Sequence, residues 1–233
     1  MRLMGLLLTT AFFAGTWLHL QSVVKNLPPK VTIITPENHS NLKPRQQVLY
    51  SIEVVDPEDG DSRYAEIVPS EVFMDVRFFP SEQEMVHSEN QSTRADELGL
   101  QTIKVNGCFN CHNSKTALVG PAFYKIAKKY HQQDIDKLVS SVLKGSSENW
   151  SSAIMPAQVD LTEVDAREAV HWILSHGGND HRTIYAGING AFKIQPDVTK
   201  GVYVLKASYT DHGIDGNQQS RLTGSDRVVL YIQ

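Results

Sequence analysis

Only two cysteines occur in the 233 residues, Cys108 and Cys111, and none precedes them. Two residues apart, they cannot staple distant parts of a fold, so stability must come from packing or from a bound group. A lipid anchor on a cysteine at an N-terminal processing site is excluded on the same count. An excess of charge is also missing: 22 Lys and Arg stand against 26 Asp and Glu, a formal net charge of -4. Without a basic stripe there is no general electrostatic reason to expect nucleic acid as a partner. No internal repeat or low-complexity tract is present.

The first residues place Arg2 ahead of an apolar run over residues 3–20, interrupted only by Thr9, Thr10, Thr16 and His19. That is the pattern of an export signal. At about 18 residues the run is also just long enough to stay behind as a membrane anchor. No strong small-x-small cleavage site follows it, so residues 1–25 read as a signal peptide or a retained anchor; the plainer alternative is a buried N-terminal helix. Export implies a periplasmic or otherwise exported protein.

A chain of this length holds one large domain or two small ones. Residues 28–81 alternate short β-rich runs with Pro, Gly, Asn and Asp, and residues 31–35 and 48–55 are the first strand candidates. Val48, Tyr50, Ile52 and Val54 fall on one face, the mark of a half-buried antiparallel strand. DPEDGD stops that strand, and a third follows over residues 71–79, with Val72, Met74, Val76 and Phe78 on one face. Residues 82–98 turn polar and read as a linker or crossing segment.

Beyond it the period changes. Ile135, Leu138, Val139, Val142 and Leu143 recur at helical steps. Thr162 and Asp165 form a capping-box variant ahead of a face made by Ala166, Ala169, Val170, Ile173 and Leu174, which Gly177 and Gly178 end. Residues 92–178 are thus a small helical unit, with Leu98, Leu100, Ile103 and Val105 as core candidates in its first helix. Residues 184–233 return to strands in GAFKI, GVYVLKASY and RVVLYIQ. Two separate three-stranded sheets would each be short of core, whereas together they make one sandwich. The expected fold is therefore multidomain, all-α plus all-β, with the helical unit inserted into one sandwich; two independent β modules are the alternative. Insertion at an exposed loop is tolerable because the loop's ends are already close.

CFNCH, residues 108–112, admits three chemistries. Structural zinc needs a second knuckle of Cys or His; no second cysteine pair exists, and only His131, His171 or His176 could complete a set. A redox dithiol would follow a strand and open a helix in an α/β domain, but the flanking periodicity here is helical. A haem uses every element at once: Cys108 and Cys111 form two thioethers, His112 reaches the iron, and Phe109 and Asn110 are spacer. The macrocycle would also supply core that so small a unit lacks.

Residues 107–172 resemble a class I c-type cytochrome. In that family a Gly-Pro segment follows the haem motif and a methionine on a later loop is the distal iron ligand. LVGPAF, with Gly120 and Pro121, and AIMPAQ, with Met155 and Pro156, stand in those places, and the helix bearing Trp172 is similar to the family's closing helix. The 43 positions from His112 to Met155 leave room for two helices and their loops. The resemblance implies one covalent haem c attached at Cys108 and Cys111, with His112 as proximal and Met155 as distal iron ligand. An ordinary apolar filler is the alternative for Met155, and Trp150 and Tyr124 either pack on the ring or fill core.

The strand regions carry a second resemblance. GVYVLKASYTDHG and RVVLYI are similar to the last strands of polycystic-kidney-disease-type or fibronectin-like sandwiches, and VTIITPENHS and SIEVVDPEDGDS to the first. This implies a cytochrome c domain inserted into an immunoglobulin-like β-sandwich. Similar combined modules occur at the ends of exported bacterial sugar or alcohol dehydrogenases, which implies a redox protein donor and acceptor as partners, such a dehydrogenase among them.

The expected function is a periplasmic one-electron carrier rather than an enzyme, with both axial positions filled. Lys104, Lys115, Lys125, Lys128 and Lys129 form either a positive docking surface or a solvated face. The alternatives are a haem-based sensor or peroxidase with a labile distal ligand, and a carbohydrate- or protein-binding sandwich that carries the cytochrome. For the latter, Phe73 and Phe79 are the candidate aromatic platform. Glu53, Asp56, Glu58, Asp59 and Asp61 raise calcium, although DPEDGD reads more simply as an exposed acidic turn.

Overall fold

The computed structural model describes residues 25–91, 94–147, 150 and 153–233. Apart from Lys25, the signal or anchor expected over residues 1–25 lies outside the described residues. Among them, no helix is long and apolar enough to cross a membrane.

The alternating apolar faces assemble into two sheets. One joins β1 (Lys30–Thr35), β3 (Gln47–Asp56), β4 (Gly60–Asp61) and β7 (Asn189–Lys193); the other has the order β2 (Asn41–Leu42), β9 (Thr223–Ile232), β8 (Gly201–Thr210), β5 (Phe73–Phe79), β6 (Arg182–Ala186). Both sheets take strands from each side of the helical segment: Tyr50 of β3 pairs with Gly190 of β7, and β5 lies between β6 and β8. Tyr50, Ile52, Val54, Met74, Leu205 and Leu230 meet in one core cluster, as alternation requires of inward faces. Strand β6 gave no alternation signal, because Ile184 faces the helices while Tyr185 packs on the sandwich core.

The helical segment holds α1 (Glu82–Gln91), α2 (Arg94–Val105), α3 (Phe123–Lys129), α4 (Ile135–Lys144) and α5 (Glu163–His176). Residues 82–91 and 94–98 of the polar stretch are therefore helical and not a linker. Helix α1 packs Met85 against Val202, Val204 and Val229 on the outer face of the five-stranded sheet. In α2, Ile103 is fully buried whereas Leu98 is 42% exposed, which removes Leu98 from the core. Helices α2 and α5 cross at Gly99, where a Cβ would stand 2.4 Å from the Glu168 carbonyl oxygen. The Thr162 cap forms as expected: its hydroxyl accepts from the Asp165 amide at 3.1 Å and donates to the Asp165 carboxylate at 2.6 Å. Val139 of α4 packs on Ala166 and Val170 of α5.

The two parts meet on the outward face of β5. Val72, Met74 and Val76 point into the sandwich, so Phe73 and Asp75 point out. Phe73 and Ile184 lie buried with Ile103, Phe109, Phe123 and Trp172. Phe73 is thus a floor for the helices and not an exposed platform, and Phe79 packs beside Met85. Asp75, 3% exposed, accepts from Arg77 at 2.8 and 3.1 Å and from Arg182 at 2.7 and 3.1 Å. The Arg182 guanidinium in turn lies 5.0 Å from the Trp172 ring centre on α5. Burial alone would raise the Asp75 carboxyl; the positive charges and hydrogen bonds of Arg182 and Arg77 outweigh it and hold the group well below the usual carboxylate range.

Removing that carboxylate leaves two guanidinium groups without their shared partner. Asp75→Ala is expected to cost about 3–5 kcal/mol in denaturant unfolding at neutral pH. Because the folded-state value is depressed, the wild-type advantage is present above the unfolded carboxylate value of about 3.9 and fades as pH falls below it. An equal gap between wild type and variant at acid and neutral pH would contradict this account.

Candidate functional site

A single 3-10 turn, Cys108–Asn110, carries the CFNCH motif. The amides of Cys111 and His112 both donate to the Cys108 carbonyl, at 3.2 and 2.9 Å. The turn sends Phe109 into the core, 5.2 Å from Phe73 and 5.3 Å from Phe123 by ring centres. Cys108, Cys111 and His112 instead line one cavity of about 190 Å³, and Met155 lines the same cavity. Four residues separated by up to 47 positions are thereby brought together.

The Gly-Pro segment orients the histidine. His112 Nδ1 lies 2.7 Å from the Pro121 carbonyl oxygen. A carbonyl only accepts, so Nδ1 carries the proton and Nε2 keeps its lone pair. Phe123 stacks on the imidazole at 5.4 Å and 17°. A Cβ on Gly120 would stand 2.5 Å from His112 Cε1, so only glycine lets the backbone pass so close to the ring. Burial lowers the imidazole's proton affinity, with the Pro121 bond opposing in part, which favours the neutral form a metal ligand requires.

Met155 sits on the connection between α4 and α5. Its amide donates to the Ser146 carbonyl at 2.8 Å and its carbonyl accepts from the Ser146 amide at 3.0 Å. This bridge fixes the methionine's backbone at the cavity edge. The walls include Ile103, Ile126, Leu138, Val142, Val170 and Ile173, and Lys137 is the charged side chain among the described lining. Burial above all pushes the Cys108 thiol up to about 11. A group so raised is a protonated thiol at neutral pH, unlike the low-pKa nucleophile of a redox dithiol.

The donor set fits a haem. Two thiols could supply thioether points, a neutral imidazole and a thioether sulfur could supply iron ligands, and the walls are apolar. The histidines that zinc would need are engaged or placed elsewhere. His131 caps the turn before α4 with Asp134, and His176 lies 5.7 Å from the Trp172 ring; neither lines the cavity, nor does His171. Among the described residues no cluster of three or more His, Cys, Asp or Glu is arranged to hold a metal ion. In DPEDGD, Asp56 accepts from the amides of Glu58 and Asp59, and Asp59 accepts from the Tyr209 hydroxyl at 2.6 Å.

Of the ambiguous aromatics, Trp150 lines the cavity whereas Tyr124 lies outside it, beneath Lys115 and Lys128 at 4.4 and 5.1 Å. Sequence reading missed Tyr130 and Lys137 as lining, since Tyr130 lies on a polar stretch and Lys137 is a charged position beside the apolar face of α4. Phe123 carried a usable signal, standing two residues after Pro121. Lys104 is not on the cavity side at all; it lies against the sheet, bonded to Ser208.

A family model for cytochrome c matches residues 97–177. The chain is 40% identical over 77 residues to cytochrome c-552 of Hydrogenobacter thermophilus, covering 32% of this chain and 78% of that protein. It is 34% identical over 82 residues to cytochrome c-551 of Azotobacter vinelandii, covering 34% and 99%. The solved structure of wild-type Nitrosomonas europaea cytochrome c552 aligns at 35% identity over 33% of this chain and 96% of that one, with a TM-score of 0.32.

The close passage at Gly120 yields a direct test. Gly120→Ala is expected to displace the imidazole, to shift the His112 ring resonances in NMR spectra, and to cost about 1–3 kcal/mol by overpacking. Unchanged ring resonances in a folded variant would refute the claim that Gly120 sets the ring's position.

Proposed function

The chain belongs to the cytochrome c family, and on that premise we propose that it is a one-electron carrier with a single haem c held by Cys108, Cys111, His112 and Met155. Family membership implies the covalently bound haem c. The observation that carries the residue assignment is the convergence of two thiols, the His112 Nε2 lone pair and the Met155 thioether on one apolar cavity. When bound, the haem supplies an iron centre that takes up and releases one electron.

The chain's own residues give that centre its surroundings. Cys108 and Cys111 hold the macrocycle through thioether bonds. His112 is the proximal ligand, and the bond it donates to the Pro121 carbonyl fixes its tautomer and raises its basicity. Met155 is the distal ligand, a pairing that raises the reduction potential. With His112 and Met155 as its ligands, the iron would offer oxygen and peroxide no open site. Ile103, Leu138 and Val170 keep water from the cavity.

Electrons pass at the cavity mouth. Trp150, Ile154 and Val119 are exposed there, Ile154 by 73%, and an apolar rim of this kind suits the modest contact area of a transient redox partner. Lys115 and Lys128, both over Tyr124, add positive charge on α3 and its approach. The partners are a redox protein donor and acceptor, with an exported sugar or alcohol dehydrogenase as the leading donor. The work takes place in the periplasm, residues 1–25 serving as signal or anchor. We read the two sheets as an immunoglobulin-like sandwich with the cytochrome inserted into it.

The full chain matured in a periplasm should give a c-type pyridine haemochrome, and the double variant Cys108→Ala, Cys111→Ala should retain no covalent haem. Met155→Ala should lose the distal-ligand spectrum of the native protein and bind carbon monoxide rapidly when reduced. Absence of covalent haem in the wild type would overturn the proposal, and an unaltered Met155→Ala spectrum would remove that residue from it.

A further inference from the structure

Helix α2 sets Lys104 on the sheet. Its Nζ donates to the Ser208 hydroxyl of β8 at 2.8 Å and lies 5.3 Å from the Phe73 ring centre. The charged groups facing it come from three strands: Asp75 and Arg77 on β5, Arg182 on β6 and Lys206 on β8. Asp75 is engaged by the two arginines. The nearest partners left for the ammonium are a neutral hydroxyl and a ring face, in a cluster where cations outnumber the one carboxylate.

From Phe73 a run of rings leads to the pocket. Phe109 follows at 5.2 Å, Phe123 at 5.3 Å and the His112 imidazole at 5.4 Å. The length of that path limits the distance from Lys104 Nζ to the imidazole to about 21 Å. The intervening matter is packed protein, since Phe73, Phe109 and Phe123 are all buried. A charge acting through such an interior is screened far less than one acting through water.

We propose that the β-sheet tunes the haem through Lys104, whose ammonium, held against Phe73 and Ser208, is a titratable positive charge that favours the reduced state of the iron bound by His112. The inference rests on the electron-carrier function proposed for this chain. Burial above all lowers this ammonium to about 8; Asp75 opposes the shift, and Arg182, Lys206 and Arg77 add to it. The charge is therefore full at slightly acid pH and lost in mildly alkaline solution. Loss of a nearby positive charge disfavours the added electron, so the potential falls as Lys104 gives up its proton.

The test is spectroelectrochemistry on the matured, haem-loaded full chain from about pH 6 to about pH 10, bracketing that transition. Wild type should show a midpoint potential that falls across the Lys104 titration. Lys104→Met should lie lower at the acid end and lack that fall. For a unit charge near that limiting distance, roughly 20 Å, in an effective dielectric of about 20, the reduced-to-oxidised ratio at fixed ambient potential should be about fourfold lower, and lower still for a shorter separation. Lys104→Arg keeps the charge at every pH used and should stay high and flat. A folded Lys104→Met variant with wild-type potentials throughout overturns the inference. Nitrogen NMR of the Lys104 ammonium needs no variant: its pKa should be higher in the reduced than in the oxidised wild type, and equal values also overturn it. A preparation without covalent haem would instead overturn the electron-carrier function, whereas a haem-loaded protein whose potential ignores Lys104 overturns only the tuning role.

Discussion

Strand β5 leaves the five-stranded sheet at Phe79, and the chain re-enters that sheet at Arg182 on the adjacent strand, with Arg77 and Arg182 in register. Both ends of the helical segment are therefore tied to one antiparallel ladder. Asp75 reinforces the tie by holding a guanidinium from each strand. Because side chains alternate along β5, the residues that build the sandwich core and those that build the floor beneath α2 are interleaved. A slip of one residue would move Met74 under the helices and Phe73 into the sandwich. The register of this one pair thus decides both the core of the β part and the seating of the helical part.

The pocket depends on that seating in a definite order. Phe73 supports Phe109, Phe109 meets Phe123 edge to face, and Phe123 stacks on His112. Helix α5 closes over the same cluster because Gly99 lets it cross α2 at backbone contact. The histidine is then held from two sides, by the Phe123 ring and by the Pro121 carbonyl. Orientation of this kind comes from packing around the ligand, and it is what separates a positioned imidazole from one merely nearby.

Features whose chemistry is local in sequence were legible. CFNCH, Gly120-Pro121 and Met155-Pro156 are short runs in which residue type and spacing are the signal, and the face Val48, Tyr50, Ile52, Val54 shows its period within eight residues. What escaped reading depends on distant partners. Residues 82–98 read as linker because α1 has few apolar residues; its helix is supported by Met85 docking on a sheet formed partly by residues more than a hundred positions later. Phe73 and Asp75 lie on the outward face of a strand, and nothing in the strand says that a helix will cover it. Lys104 shares its helix with exposed polar residues, and a lysine there is normally solvated; only the approach of β8 to α2 makes it half-buried.

Electrostatics divides the labour between the two sides of the helical unit. Exposed lysines such as Lys128 act through water, where screening limits their reach to about 8 Å at physiological salt. They can steer and orient a partner while contributing little to the energy of the reduced iron. Charges on the sheet side are separated from the pocket by buried rings, and their influence persists over a longer distance. The sheet can therefore set the potential without presenting a residue at the mouth, and the mouth can be shaped for partners without disturbing the potential. On this argument the β part has a reason to be packed against the helices through buried charge rather than joined to them by a loose tether.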